Sequence, residues 1–179
     1  MEEMYSAALK NRQLLSIGRE EISENDIQGF LLGYSDSLVL IEYIYDFNVD
    51  GLMVLRREDI SSIGSSKTDL FQHRILEEEG SVDKIRFGID CNLNSIPEFL
   101  LSMNLEGKFI AVEEENESNP LFYLGVLNGI YGESLKLQEV NGAGNWDEEE
   151  TEVFFEDVSC IQMDNKYLNT YERYLAMTD

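Results

Sequence analysis

A chain of 179 residues fits one domain or two small ones, and 43% hydrophobic with 11% aromatic residues supplies a core and excludes a disordered composition. Thirty-six acidic residues against thirteen basic give a net charge of −23, a surface that repels nucleic acid and anionic membrane and favours basic partners. Cys91 and Cys160 lack metal-ligand spacing and do not make a disulfide framework. No apolar run approaches the roughly 20 residues that span a bilayer, and the acidic start Met1-Glu2-Glu3 has no signal-like apolar region; a soluble, cytoplasmic protein with reduced thiols is expected.

In chain order, residues 2–12 read as a short helix with Met4, Ala7 and Ala8 on one side, and residues 13–20 as a first strand. Residues 23–26 are polar and turn-like. A second strand starts at Ile27 and passes Gly29 and Gly33, whose spacing signals a bulge or bend. Residues 38–47 form the most apolar run, with Leu38, Leu40 and Ile44 on one face and Val39, Ile41, Tyr43, Tyr45 and Phe47 on the other. Asp50-Gly51 is the turn signal that closes a hairpin. Residues 52–57 return, residues 59–63 make a last short strand, and residues 68–76 are helix-like.

The middle, 81–94, holds a possible strand at Ile85, Phe87 and Ile89. Ser95, Pro97 and Glu98 mark the start of a helix running to Met103. The order then recurs: a strand at 108–112, an acidic turn from Glu113, and a strand at 121–130 with Gly125 and Gly129. An alternating strand at 134–140, a glycine-rich acidic loop at 141–150, a return at 151–155 and a helix at 167–175 complete it. Glu58-Asp59-Ile60-Ser61-Ser62-Ile63 returns 98 residues later as Glu156-Asp157-Val158-Ser159-Cys160-Ile161. The expectation is an internal duplication, with a first helix–barrel–helix repeat at 1–80, a linker at 81–94 and a second repeat at 95–179.

A helix, five short strands with a glycine-bent second strand, then a helix resembles the small Sm-like (SH3-like) β-barrel. The resemblance implies a mainly β, α+β chain of two duplicated five-stranded barrels with flanking helices. The family's RNA-binding signature, an apolar residue then Arg-Gly at the junction of the fourth and fifth strands, is replaced by Leu55-Arg56-Arg57-Glu58 and Val153-Phe154-Phe155-Glu156. The resemblance therefore carries a fold and no functional residues.

Walker-type, His-Glu-x-x-His and Gly-x-Ser-x-Gly motifs are absent from the sequence. His73, the single histidine, has Tyr171 as its repeat counterpart and reads as a packing residue. No cofactor or metal is expected, and the chain is read as non-enzymatic. The candidate partner-binding residues are Trp146, Asp147, Glu148, Glu149 and Glu150 on one loop, with Glu113, Glu114, Glu115 and Glu117 on the other acidic turn. Together they offer an aromatic anchor and charge steering toward a basic protein. From Leu105 on, 17 acidic and 4 basic residues give −13, so the denser acidity lies in the shorter half.

A toxin-neutralising immunity protein is one concrete form of such a binder. Two alternatives follow from other features. A nucleic-acid-binding Sm-like protein would use Arg56, Arg57, Lys67 and Arg74, and a metal-dependent enzyme would use the acidic loop. The apolar face of residues 39–47 needs a cover: the segment 85–103, the other barrel, or a second copy in a homo-oligomer.

Overall fold

The computed structural model describes residues 2–115 and 119–175. The elements are α1 (Glu2–Asn11), β1 (Leu14–Arg19), β2 (Ser23–Tyr34), β3 (Leu38–Tyr45), β4 (Asn48–Arg56), β5 (Ser62–Gly64) and α2 (Lys67–Glu78). After a single 3-10 turn (Val82–Lys84) come α3 (Ile96–Ser102), β6 (Phe109–Glu114), β7 (Leu121–Tyr131), β8 (Ser134–Glu139), β9 (Thr151–Phe154), β10 (Cys160–Met163) and α4 (Lys166–Leu175). The chain is mainly β with four short α-helices among the described residues, as the periodicity implies.

All ten strands form one antiparallel sheet in the order β5-β1-β2-β3-β4-β10-β6-β7-β8-β9. The expectation of two separately closed barrels is not what the pairing gives: the sheet is open, with β5 and β9 as its edges. The reason lies in β4. Its residues Leu52, Met53, Val54 and Leu55 are all buried and pair with Met163, Gln162, Ile161 and Cys160 of β10, so the edge that closure would need is spent across the two halves. The strand order within each half is nonetheless the same. Each second strand also carries a register shift at the expected glycine pair, between Leu31 and Gly33 and between Leu127 and Gly129.

Three sequence expectations are displaced. The hairpin after β3 turns at Asp46 and Phe47, both at positive φ (47° and 63°), and Asn48 Nδ2 donates to the Asp46 carbonyl at 2.7 Å. Asp50-Gly51 lies inside β4 instead. Residues 23–26 are not a turn; β2 already begins at Ser23, which pairs with Arg19. Ile85, Phe87 and Ile89 form no strand, and pack as an irregular segment against the central core.

The core has three parts. A central cluster draws on both halves, from Leu14, Phe30, Leu40 and Val54 to Phe99, Ile110, Leu137 and Ile161. A second lies on the opposite face of the first half, where Tyr5 and Ala8 of α1 bury Leu15, Ile17, Leu31, Val39 and Ile41. A third joins Leu168 and Leu175 of α4 to Phe109, Ala111 and Leu124. Helix α1 thus covers the Val39 and Ile41 end of the apolar face of β3, while Tyr45 and Phe47 beyond it stay exposed. The segment 85–103 covers the other face, because β3 lies mid-sheet with protein on both sides. Helix α2 is seated differently from α4: Asp69 forms a capping box with Ser66 and also accepts from Ser16 Oγ (2.9 Å) and Gln28 Nε2 (2.8 Å).

Candidate functional site

The two acidic stretches singled out in the sequence have different fates. Glu113 and Glu114 belong to β6 and Glu115 follows it directly, so they make a strand end and not a turn; Glu117 lies outside the described residues. Glu115 takes both terminal nitrogens of Arg19 at 2.6 and 2.8 Å and the Ser159 hydroxyl at 2.8 Å, and Arg19 is 5% exposed. This bidentate pair ties the end of β1 to the second half. Glu113 accepts from Gln162 Nε2, and burial pushes its carboxyl above the usual range, with the neighbouring Glu115 charge acting in the same direction. Glu114 accepts from the Tyr123 hydroxyl at 3.1 Å; burial and then that contact push Tyr123 up to about 12. Of these carboxylates Glu115 joins the two halves, through Arg19, while Glu113 and Glu114 are held by Gln162 and Tyr123 within the second.

The 141–150 loop is instead a presented surface. Asn141 organises it: its Oδ1 accepts from the amides of Ala143 (2.9 Å) and Asn145 (3.2 Å), and its carbonyl accepts from Gly144 N. Trp146 bridges to Val140 and meets Phe109 edge-on at 6.4 Å while remaining half exposed. Asp147, Glu148 and Glu149 are exposed, and Glu150 accepts from Asn128 at 2.9 Å with Lys136 at 3.9 Å. Phe109 and Glu113 are four residues apart on β6, about 13 Å at ~3.3 Å per residue. The loop, through Trp146, thus meets the Phe109 end of β6, and Glu113 to Glu115 stand at its other end.

What the fold brings to the loop is an aromatic surface that sequence reasoning missed. The Tyr171 hydroxyl donates to the Gly142 carbonyl at 3.2 Å, seating the loop on α4. Tyr167, Tyr171 and Tyr174 recur at i, i+4 and i+7, about a quarter turn from the buried Leu168 and Leu175. Tyr174 is 61% exposed and Tyr167 49%. Tyr167 meets Tyr171 at 5.0 Å and Phe122 of β7 at 6.3 Å, and the Tyr171 hydroxyl holds the Tyr167 phenol above its ordinary pKa.

Two depressions flank α4. One, of about 380 Å³, lies against Gly142, Ala143 and Gly144. The other, of about 650 Å³, lies between α4 and the β3–β4 hairpin. The i, i+4, i+7 spacing of the three tyrosines is the one signal of this row that the sequence carries.

Other candidates take ordinary roles. His73 packs edge-on against Phe30 at 5.3 Å and lies 3.6 Å from Glu77. Arg56 is engaged by Asp59 at 3.0 Å and the Glu156 carbonyl at 2.8 Å, and Arg57 by Glu2, Asp36 and the Ser35 carbonyl, so two of the four cations of the nucleic-acid alternative are already neutralised. Cys160 is buried, and burial holds its thiol well above the ordinary range. Among the described residues, no group of three or more His, Cys, Asp or Glu is placed to hold a metal ion, and no helix is long and apolar enough to cross a membrane. No protein-family model, curated protein or solved structure matches the chain.

Proposed function

We propose that this chain is a non-enzymatic protein-binding module whose acidic surface engages a basic partner, a toxin-neutralising immunity protein being the concrete form. We further propose that it is a tandem of two Sm-like (SH3-like) five-strand units fused edge to edge. The recurrence of one strand order in both halves, with the glycine-marked register shift in the same place, supports the second statement.

The observation that carries the first is the juxtaposition on α4. Exposed tyrosines there adjoin a loop bearing Trp146 and the carboxylates Asp147, Glu148 and Glu149. Solvated aromatic rings beside acidic groups suit a basic protein surface: the rings supply contact area at low side-chain entropy, and the charge speeds encounter. The carboxylates Glu113, held by Gln162, and Glu115, held by Arg19, are left out of this surface.

The test is affinity capture of basic proteins at low and high salt, native chain against the triple variant Trp146→Ala, Glu148→Gln, Glu149→Gln. A basic protein held at low salt by the native chain and lost in the variant supports the reading. Equal retention by both would remove the loop from it.

A further inference from the structure

The chain already contains one built site for a guanidinium group. Arg57 lies with its Cζ 5.0 Å from the Tyr5 ring centroid and 5.8 Å from that of Tyr34. The two tyrosines are themselves stacked at 4.9 Å, and Glu2 and Asp36 accept from the same guanidinium at 2.8 and 3.2 Å. Rings supply the faces and carboxylates the charge, the combination that a planar, weakly hydrated cation prefers.

The groove between α4 and the β3–β4 hairpin presents the same set of side chains to the outside. Tyr45, Tyr167 and Tyr171 line it, with Asp46 and Asp50 beside them. Tyr45 is 63% exposed, and the positive-φ turn at Asp46 and Phe47 fixes where that side of the groove stands. Asp50 also accepts the Lys166 amide at 2.8 Å, which locks the hairpin to the start of α4 and sets the width between the two walls. The lining cation is Lys166, and among the described residues no arginine lines the groove.

We infer that this groove is the anchoring pocket for an arginine side chain of the basic partner, stacked on Tyr45, Tyr167 and Tyr171 with its charge met by Asp46 and Asp50. The inference rests on the proposed binding function and specifies its chemistry. Charge complementarity selects a cationic occupant for a chain of −23. Ring stacking with nearby carboxylates selects arginine over lysine, whose compact ammonium holds its water more tightly and cannot stack as a plane.

The experiment titrates the full chain with two peptides of identical length, one carrying four arginines and the other four lysines at the same positions. Dissociation constants are measured alongside tyrosine ring shifts by NMR. The expected result is about two- to fivefold tighter binding of the arginine peptide, in the range for cation–ring contacts at exposed sites. Shifts should be centred on Tyr45, Tyr167 and Tyr171.

Tyr45→Ala and Tyr167→Ala should each erase most of that preference while leaving the far-ultraviolet dichroism unchanged, since both side chains are exposed. Neutralising Glu148 and Glu149 should weaken both peptides alike. Equal affinity for the two peptides, or a preference untouched by the tyrosine variants, would overturn the arginine pocket while leaving the acidic binder standing. Failure of both peptides to bind at low salt would overturn both readings.

Discussion

Glu113 is where a residue-level cost is concentrated. Its carboxyl is removed from water between Gln162 and Cys160, next to the Glu115 charge, and burial first and that charge next raise its pKa in the folded chain. Arg19 acts in the opposite direction but is committed to Glu115 by two short hydrogen bonds. A raised carboxyl binds its proton more tightly folded than unfolded, so its stability cost is absent below the ordinary carboxylate pKa. The cost grows as pH rises through the interval up to the folded value, and is complete above it. Glu113→Gln keeps an acceptor for Gln162 and removes the ionisation. The variant should be more stable than the native chain at neutral pH in urea titrations, with the difference closing as pH falls below the ordinary carboxylate range. A stability gap that does not change with pH would show that Glu113 is held by something other than its desolvated charge.

At the scale of elements, the β3–β4 hairpin decides both the junction and the groove, and Gly51 is its critical position. Gly51 has φ +82°, and a Cβ built there would lie 2.3 Å from the Met163 carbonyl oxygen and 2.6 Å from the Asn165 amide. The close approach lets β4 pass directly beneath the turn that starts α4. Gly51→Ala should cost roughly 2–4 kcal/mol through strained φ and backbone displacement together. Gly132→Ala, at a turn with open space and no positive φ, should change stability by about 0.5 kcal/mol or less. Chemical denaturation of the two variants side by side measures both.

The same glycine shows how far the sequence could be read. The recurring glycine pairs Gly29/Gly33 and Gly125/Gly129 are legible as bends because they stand at equal spacing in both halves, and the register shifts fall at the second glycine of each, Gly33 and Gly129. Asp50-Gly51 misled because the dipeptide signals positive φ without saying whether a turn or a neighbouring backbone requires it. Tyr167, Tyr171 and Tyr174 stand as a helical row in the sequence, but the hairpin that makes a groove with Tyr167 and Tyr171 comes from more than 100 residues earlier. That adjacency is tertiary and leaves no local trace.

For the whole molecule, the consequential feature is that one sheet and one central core cross the midpoint of the chain. Ile161 pairs with Val54 on one side and Val112 on the other and is fully buried, so a residue of the second half stands between the two. The junction strands are apolar, whereas the free edges are polar or short. The β5 edge is Ser62, Ile63 and Gly64, and β9 carries the exposed Glu152 with Glu150 just before it. Short or charged edges discourage further strand addition, which favours one internal junction over repeated head-to-tail pairing.

Shared burial also couples the halves energetically, since neither can open at β4–β10 without exposing central-core residues of both. Native unfolding should therefore be a single transition, seen identically by Trp146 fluorescence in the second half and by amide exchange of Leu40 and Ile41 in the first. Ile161→Ala should lower the stability of both probes together by about 2–5 kcal/mol, the range for emptying a buried aliphatic site, with the denaturant slope unchanged. Two separated transitions, with only the Trp146 probe moved by the variant, would mean that each half holds its own fold and that the junction is a contact between independent units.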